Sequence, residues 1–239
     1  MTLKDKQIII LGGTSGIGLA VAQAAAAEGA RVRIASRNSV RVSDALATLP
    51  PGAEGLTVNL TDETAAKAFF QAAGDFDHLV YTAGESLKLA PLAESDIAQA
   101  RNFFELRYWG AFTVAKYAHG HIRPGGSIVF TSGLAGARPH EGWSIASSIC
   151  SAMEGLTRAL AVELAPVRVN IVSPGVVKTP LWRDMSSAAR DALYAGEAQR
   201  LLVGHVGEPQ EIAEGYLYLM CQTYVTGQTL TIDGGGLLV

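Results

Sequence analysis

Short apolar runs alternate with longer segments of helix-favouring composition along the whole chain. We predict strands at the short runs, which are residues 7–11, 31–35, 55–59, 78–81, 126–131, 167–172 and 229–232. We predict helices over residues 19–28, 40–49, 62–73, 96–121, 144–164 and 210–221. Gly29 is expected to end the first helix, and Thr61 to cap the start of the third. Because the strands are apolar on both faces, the pattern predicts an α/β fold, a doubly wound parallel sheet of about seven strands in a single domain, 1–239.

One segment, residues 178–207, breaks this alternation between the sixth strand and the last helix. A connection of that length in a compact domain is typical of a binding lid, so we predict a substrate lid there. Its apolar residues suit either the wall of a substrate site or ordinary helix packing, and they are Leu181, Trp182, Met185, Leu193 and Tyr194.

The composition mainly excludes classes of protein and of partner. The 239 residues are 49% hydrophobic and 17% charged, which favours a buried core over disorder. A net charge of −3 without a dense basic stripe argues against nucleic acid as a partner. No apolar run approaches the roughly 18 residues of a membrane span, and no signal-peptide pattern precedes the first strand, so we expect a cytoplasmic protein. Cys150 and Cys221 give neither a disulfide framework nor metal-ligand spacing, and we expect no metal.

The glycine-rich stretch from Gly12 to Gly18 carries the first chemical signal. It lies between the first predicted strand and the first predicted helix. Glycines there let the chain turn tightly and let a ligand approach the backbone, while the helix start offers free N–H groups to a pyrophosphate. The arrangement predicts a nucleotide-binding site.

The end of the second strand indicates which nucleotide. An acidic residue at this point would bind the ribose hydroxyls of NAD, but the chain has Ser36, Arg37 and Asn38. Arg37 suits the additional phosphate of NADP, because a guanidinium makes paired, charge-assisted contacts with phosphate. The sequence therefore favours NADP(H) over NAD(H), although Arg37 also fits an ordinary surface position.

Five motifs in order make the chain resemble the short-chain dehydrogenase/reductase family over essentially its whole length. The glycine turn matches TGxxxGxG with Leu11 in place of Thr. Residues 59–62 are similar to D-V-T-D, residues 81–84 to N-N-A-G, and residues 173–179 to the P-G-x-x-x-T stretch. Residues 224–228 with 232–235 resemble the closing motif. The resemblance implies a Rossmann fold and NADP(H)-linked oxidoreductase activity.

The resemblance also implies a set of residues that contact the cofactor. These are Gly12, Thr14, Ser15, Gly16, Ile17, Gly18, Ser36, Arg37, Asn38, Asn59, Leu60, Ala83, Gly84, Pro174, Gly175, Val177 and Thr179.

The family's catalytic residues are Asn, Ser, Tyr and Lys, and aligned without gaps this chain has none of them. The four family positions hold Arg107, Gly133, Ala146 and Cys150. A second register sets residues 144–148 against Y-x-A-S-K, but it needs an insertion inside a helix and still supplies neither Tyr nor Lys. The phenol of the family's Tyr needs a neighbouring cation to work near neutral pH, so the proton transfer of the family has no evident donor here.

The candidates that could replace these groups are Arg107, Ser132 and Ser147. Arg107 either supplies positive charge to an anionic substrate or oxyanion, or makes a structural bridge in place of Asn. His140, Glu141 and Tyr108 are weaker candidates on position alone, and nothing in the sequence indicates a lowered pKa for a Cys150 nucleophile.

Two functions from different classes fit the motifs. The first is an atypical NADP(H)-dependent oxidoreductase that transfers hydride to or from an unidentified carbonyl or alcohol-type small molecule with a non-standard proton donor. The second is an inactive NADP(H)-binding homologue that acts as a sensor or partner protein. The apolar character of residues 96–121, together with the resemblance, predicts a homodimer or homotetramer.

Overall fold

The structure, a computed structural model, describes residues 2–86 and 89–239 and contains one parallel sheet of seven strands. The strands run in the order β3-β2-β1-β4-β5-β6-β7, with each pair of neighbours parallel. They are β1 Gln7–Leu11, β2 Arg31–Ser36, β3 Glu54–Thr57, β4 Phe76–Tyr81, β5 Ile122–Thr131, β6 Arg168–Pro174 and β7 Thr229–Ile232. The predicted doubly wound fold is confirmed.

Helices cover both faces of this sheet. They are α1 Gly16–Ala27, α2 Ser39–Leu46, α3 Glu63–Ala73, α4 Ile97–Phe104, α5 Ala111–Ala118, α6 Ser144–Glu163, α7 Ser187–Arg200 and α8 Pro209–Cys221. Side chains of α1, α2 and α8 share one buried cluster, and those of α3, α5 and α6 share the other. The two clusters lie on opposite sides of the same strands.

Strand β1 shows how the sequence produces this arrangement. Successive side chains of a strand point to opposite faces, so an apolar run feeds two cores at once. Ile8 and Ile10 pack in the cluster with α1, whereas Ile9 and Leu11 pack in the cluster with α3 and α5. The run is apolar throughout because neither face of the strand meets water.

Several predicted boundaries are wrong in informative ways. Helix α1 begins at Gly16, inside the glycine turn, rather than at residue 19. Strand β3 ends at Thr57 rather than at residue 59. The N-cap of α3 is Asp62 and not Thr61, because the Asp62 carboxylate accepts a hydrogen bond from the backbone N–H of Ala65. Both residues are good caps, and the actual one lies a single position later.

The helix predicted over residues 96–121 is not continuous. A π-helical turn, Glu105–Gly110, separates α4 from α5. The hydroxyl of Tyr81, at the end of β4, donates a hydrogen bond to the carbonyl of Leu106 inside this turn. Gly110 leaves space for that hydroxyl, since a Cβ there would lie 2.6 Å from it. The strand therefore fixes the point where the helix widens.

The segment 178–207 has regular structure of its own. It contains a 3₁₀ turn, Pro180–Trp182, followed by α7. Trp182 is buried and donates its indole N–H to the carbonyl of Val177, which ties the start of the segment to the residues that follow β6.

Among residues 2–86 and 89–239, no helix has the length and apolar character needed to cross a membrane. The same ranges contain no group of three or more His, Cys, Asp or Glu side chains that could hold a metal ion.

Candidate functional site

A cleft of about 490 Å³ opens at the carboxyl ends of the strands, where the sheet order reverses between β1 and β4. Ligands of doubly wound folds bind at such a reversal, because the loops on its two sides run in opposite directions and leave a crevice. The described residues that line the cleft are Gly12, Thr14, Ser15, Gly16, Ile17, Gly18, Ala35, Ser36, Arg37, Asn38, Arg41, Val58, Leu60, Thr82, Ala83, Gly84, Glu85, Ser86, Leu106, Arg107, Thr131, Ser132, Pro174, Thr179, Pro180, Leu181 and Arg183.

The glycine turn forms one wall of the cleft. Ser15 is the N-cap of α1, but within the described chain its side chain makes no capping hydrogen bond, and the first turn carries no acidic residue. The first N–H groups of the helix are thus not engaged by these side chains, and the positive end of the helix dipole faces the cleft. This wall can bind an anion through its backbone.

Steric contacts explain why two of these positions are glycine. Gly12 has a φ of +90°, and a Cβ there would lie 2.6 Å from the backbone nitrogen of Ala83. A Cβ on Gly18 would lie 2.4 Å from the carbonyl oxygen of Gly12. The turn is consequently packed against its own helix and against the end of β4 with no room for a side chain.

The end of β2 supplies the positive charge of the cleft. Arg37 and Asn38 follow the strand, and the Asn38 side chain caps α2 by accepting the backbone N–H of Arg41. Arg37 and Arg41 lie on either side of this cap in the sequence, and both line the cleft. The arginine pair, with no carboxylate on β2, suits a phosphate.

Arg107 belongs to the opposite wall, where its side chain is held by three contacts. Its guanidinium donates a hydrogen bond to the carbonyl of Glu85 and lies 4.6 Å from the ring centre of Phe103. It also packs flat on Gly84, since a Cβ at that glycine would lie 2.7 Å from Cζ of Arg107. Its Nε is buried and has no hydrogen-bond partner among the described residues. The charge is fixed in position, and part of its donor capacity is unused.

Burial shifts the pKa values of the groups around Arg107. Desolvation lowers the pKa of Arg107, and the nearby Glu85 carboxylate opposes that shift. Guanidinium groups stay protonated in proteins, so Arg107 remains a cation. Burial also raises the pKa of Tyr81, whose hydroxyl is committed to Leu106. Tyr81 therefore supports the wall and does not transfer protons.

Ser132 lies at the end of β5 and lines the cleft beside Thr131. Its hydroxyl lies 3.0 Å from a carboxylate oxygen of Glu154 and 3.3 Å from the carbonyl oxygen of Cys150. Both neighbours are acceptors, so the single hydroxyl proton is directed into the protein and the lone pairs of Oγ remain available.

Cys150 lies on α6 and faces the segment that follows β5. A Cβ built on Gly133, the residue after Ser132, would lie 3.3 Å from Sγ of Cys150. Burial raises the pKa of the Cys150 thiol, although Ser132 and Arg107 oppose that shift. The thiol is therefore neutral at ordinary pH, which does not suit a nucleophile.

Three of the predicted cofactor residues, and one of the three main catalytic candidates, lie outside the lining of this cleft. The Asn59 side chain accepts hydrogen bonds from the backbone and hydroxyl of Thr61. Gly175 and Val177 line a separate cavity of about 180 Å³ next to α8. Ser147 lies on α6, where its hydroxyl is buried without a hydrogen-bond partner among the described residues. The other predicted cofactor residues, with Arg107 and Ser132, come together in the one cleft.

Sequence reasoning missed several residues that line the cleft. Arg41 could have been found as the position one helical turn beyond Arg37, and Glu85 as the residue directly after Gly84. Thr82 and Thr131 lie at the ends of adjacent strands, and Arg183 follows the Pro180–Trp182 turn. Only the sheet order brings these positions together.

Comparisons with known proteins agree with this architecture. A sequence profile described as enoyl-(acyl carrier protein) reductase matches residues 12–236. The short-chain dehydrogenase/reductase ATR9 of Stachybotrys chlorohalonatus is 37% identical over 254 residues, covering 99% of this chain and 99% of that protein. The chain belongs to the short-chain dehydrogenase/reductase family. Membership predicted from the motifs is thereby confirmed.

Two solved structures extend the comparison to three dimensions. A small-chain dehydrogenase in complex with NADPH shares 34% identity, has a TM-score of 0.89, and is matched over 99% of this chain and 100% of its own. The structure of MalC Reductase/Diels-Alderase from Malbranchea aurantiaca shares 33% identity, has a TM-score of 0.92, and is matched over 99% of this chain and 98% of its own. The chain is thus an oxidoreductase of the short-chain type.

Proposed function

We propose that the chain is an NADP(H)-dependent oxidoreductase that transfers hydride between the nicotinamide and a carbonyl or alcohol-type small molecule, without the tyrosine and lysine of its family. One observation carries the proposal. The cleft joins a glycine wall and two arginines to a wall bearing Arg107 and Ser132, and its described lining includes neither tyrosine nor lysine.

The residues of the glycine wall fit a dinucleotide. Thr14, Ser15 and Gly16 present backbone N–H groups at the start of α1 for the pyrophosphate. The close contacts of Gly12 and Gly18 keep the cradle open, because a Cβ at either position meets backbone. A small-chain dehydrogenase of the same fold is known in complex with NADPH, which supports the same class of cofactor here.

NADP(H) rather than NAD(H) is supported by charge. Arg37 directly follows β2 and Arg41 lies in the first turn of α2, and both line the cleft, where the end of the second strand meets the 2′-position of the adenosine ribose in this kind of fold. A bidentate guanidinium contact suits a 2′-phosphate, and the carboxylate that would repel it is absent from β2.

The nicotinamide, when bound, supplies the hydride, and the residues of the chain supply position and charge. Arg107 is a fixed cation beside the reacting region and stabilises negative charge on a substrate oxygen. Ser132, whose proton is directed to Glu154 or Cys150, offers lone pairs and so accepts a hydrogen bond from the substrate. Residues 178–207 act as the lid that excludes water, with Leu181 in contact with the cleft.

Deuterium transfer from 4-deuterated NADPH to a panel of ketones, enones and aldehydes tests the proposal. We expect transfer from one face of the nicotinamide and a loss of about 100-fold in turnover for Arg107→Ala, since removal of one preorganised oxyanion donor costs about 2.7 to 4 kcal/mol, or roughly 10² to 10³ in rate. Saturable NADPH binding without deuterium transfer to any compound of the panel would contradict the proposed oxidoreductase activity.

The alternative is an inactive NADP(H)-binding homologue that acts as a sensor or partner protein. The absence of tyrosine and lysine from the described cleft lining favours it equally. Binding without turnover identifies this function. The relative named Reductase/Diels-Alderase makes product analysis for new carbon–carbon bonds a useful addition to the same experiment.

Two exposed aromatic side chains on the helix before β5 support self-association. Trp109 and Phe112 are 52% and 42% exposed, and their rings pack edge to face in an aromatic row that begins at Phe104. We infer that this row forms part of a homodimer or homotetramer contact in a cytoplasmic protein. A monomer in sedimentation at micromolar concentration would contradict the assembly.

A further inference from the structure

An ion pair crosses the cleft from one strand end to another. Arg37 follows β2 and Glu85 follows β4, and their closest charged atoms, Nη2 and Oε1, are 3.7 Å apart. Strands β2 and β4 are the two neighbours of β1 in the sheet. The pair therefore passes over the end of β1, directly beside the glycine turn.

Glu85 is held in place by its backbone. Arg107 donates to the carbonyl of Glu85 while it packs on Gly84. Because Arg107 is itself fixed by Phe103, the chain at residue 85 has little freedom to move away from the cleft. The backbone at Glu85 is therefore tied to the wall that carries Arg107.

The Glu85 carboxylate is also incompletely satisfied. Its Oε2 is buried and has no hydrogen-bond partner among the described residues, and its side chain as a whole is 35% exposed. A buried, unpaired carboxylate oxygen costs free energy, so an acceptor position of this kind in a ligand cleft requires an explanation. A hydroxyl donor from the ligand would satisfy it.

The position of the Glu85 carboxylate indicates which ligand hydroxyl would donate a hydrogen bond to it. A carboxylate at this edge of a dinucleotide cleft accepts hydrogen bonds from ribose hydroxyls, a role usually performed from the end of the second strand. In this chain that strand ends in Ser36, Arg37 and Asn38. Glu85 reaches the same region from β4, as its distance to Arg37 shows.

We propose that Glu85 sets the cofactor selectivity of the cleft. Its carboxylate, carried by β4, accepts a hydrogen bond from the adenosine ribose and competes with a 2′-phosphate for Arg37. The chain therefore accepts NADH as well as NADPH and discriminates between them less than its two arginines imply. This inference rests on the proposed dinucleotide function of the cleft.

Charge fixes the direction of the effect. A 2′-phosphate bound by Arg37 must first displace Glu85, and it then remains within a few ångströms of a like charge. Glutamine keeps the size of the side chain and an acceptor oxygen but removes the charge. Glu85→Gln should therefore strengthen the binding of NADPH and weaken that of NADH.

Isothermal titration of the intact protein with NADPH and with NADH tests this selectivity. For Glu85→Gln we expect the NADPH dissociation constant to fall about fivefold and the NADH constant to rise about threefold, effects of the size seen for single partly exposed charges. Readings with 2′,5′-ADP and 5′-AMP should show the same opposite shifts, because these fragments contain the adenosine half alone.

Glu54→Gln is the matched control. Glu54, the first residue of β3, pairs with Arg33 of β2 at 2.7 Å outside the cleft lining, and its substitution changes net charge equally. Both affinities should stay unchanged in that variant. Parallel shifts for the two cofactors in Glu85→Gln, or no shift, would overturn the role of Glu85 alone. A native protein that binds neither dinucleotide would overturn the proposed function as well.

Discussion

The two walls of the cleft offer different chemical groups to the same ligand. The wall at the start of α1 offers backbone N–H groups, and its glycines are fixed by contacts with other backbone atoms. The opposite wall offers side chains, with Arg107 and Glu85 positioned by each other and by Gly84. The first wall depends on local geometry, whereas the second depends on contacts between distant segments.

The difference teaches where chemistry can change without loss of the fold. A backbone cradle binds any pyrophosphate and tolerates almost no substitution. A side-chain wall can exchange its functional groups as long as its supports remain, and here Tyr81 and the π-helical turn provide that support. Three predictions follow this contrast.

The glycine wall should give the largest loss on substitution. Gly18→Ala puts a Cβ 2.4 Å from the carbonyl oxygen of Gly12, and backbone cannot move aside as a side chain would. We expect the free energy of unfolding to fall by about 3 kcal/mol, at the upper end for overpacking, and NADPH binding to be lost. Urea denaturation and calorimetric titration measure the two effects.

Gly155→Ala is the control for that substitution. Gly155 lies inside α6, and a Cβ there meets no described atom within 4 Å. Alanine should raise stability by about 0.5 to 1 kcal/mol, because glycine is a poor helix residue. An equal loss in both variants would show that close packing of the turn is not the reason for Gly18.

The strands under the side-chain wall should be sensitive to acid. His78 of β4 is buried with its Nδ1 2.9 Å from the hydroxyl of Ser127 on β5. Burial lowers the pKa of His78 to about 4; Asp77 opposes this shift, while Arg168 and Lys6 assist it. The unfolded chain titrates near 6.5, so it binds the proton first and stability is lost as the pH falls from 6.5 towards 4.

Between pH 7.5 and pH 5 this single group should remove about 2 kcal/mol of stability. Chemical denaturation across that range measures it, with His78→Gln as the comparison because glutamine does not titrate. The difference between the two proteins isolates His78 from other acid-sensitive groups, such as the Asp77 carboxylate. Identical pH profiles would mean that His78 is protonated without cost.

The contact between Gly84 and Arg107 should give the smallest effect and the sharpest test of mutual support. Gly84→Ala places a Cβ 2.7 Å from Cζ of Arg107, which is the far end of a side chain and can shift. We expect a loss of about 1 kcal/mol in stability. In an Arg107→Ala background the same change should cost almost nothing, since the conflicting group is gone.

That double-mutant cycle needs four unfolding measurements in urea. A coupling near zero would show that Arg107 is not packed on Gly84 and would remove the proposed fixed position of its charge. The Arg107 wall would then not depend on contacts between distant segments.

The sequence predicted the backbone wall because all its determinants are local. Strand, glycines and helix follow each other between Gln7 and Ala27, and each has its own residue preference. The doubly wound parallel sheet also followed from the pattern of elements, and the family followed from the five motifs. The start of α1 was placed at residue 19 because glycines disfavour helix by composition, yet here Gly16 and Gly18 belong to it.

The side-chain wall could not be predicted in the same way. Residues 105–110 have the composition of an ordinary helix, and the π-helical turn depends on Tyr81, which lies far earlier in the chain. The sequence identified Arg107 as a candidate, but it did not indicate that Arg107 packs against Gly84. The sequence did not indicate Glu85, because its proposed role depends on its ion pair with Arg37. The two residues are close only because β2 and β4 are the two neighbours of β1 in the sheet.

The widened turn at Glu105–Gly110 has a consequence for insertions and deletions. A π-helical turn holds one residue more than an α-helix needs for the same hydrogen-bonded loop. Removing one residue there would close the turn to ordinary α-helical spacing, because the wide turn is what accommodates the additional residue. Val114 and Ala115, now fully enclosed, would keep their places in the core. The same deletion inside α5 has no wide turn to absorb it and would rotate the residues beyond it by about 100°.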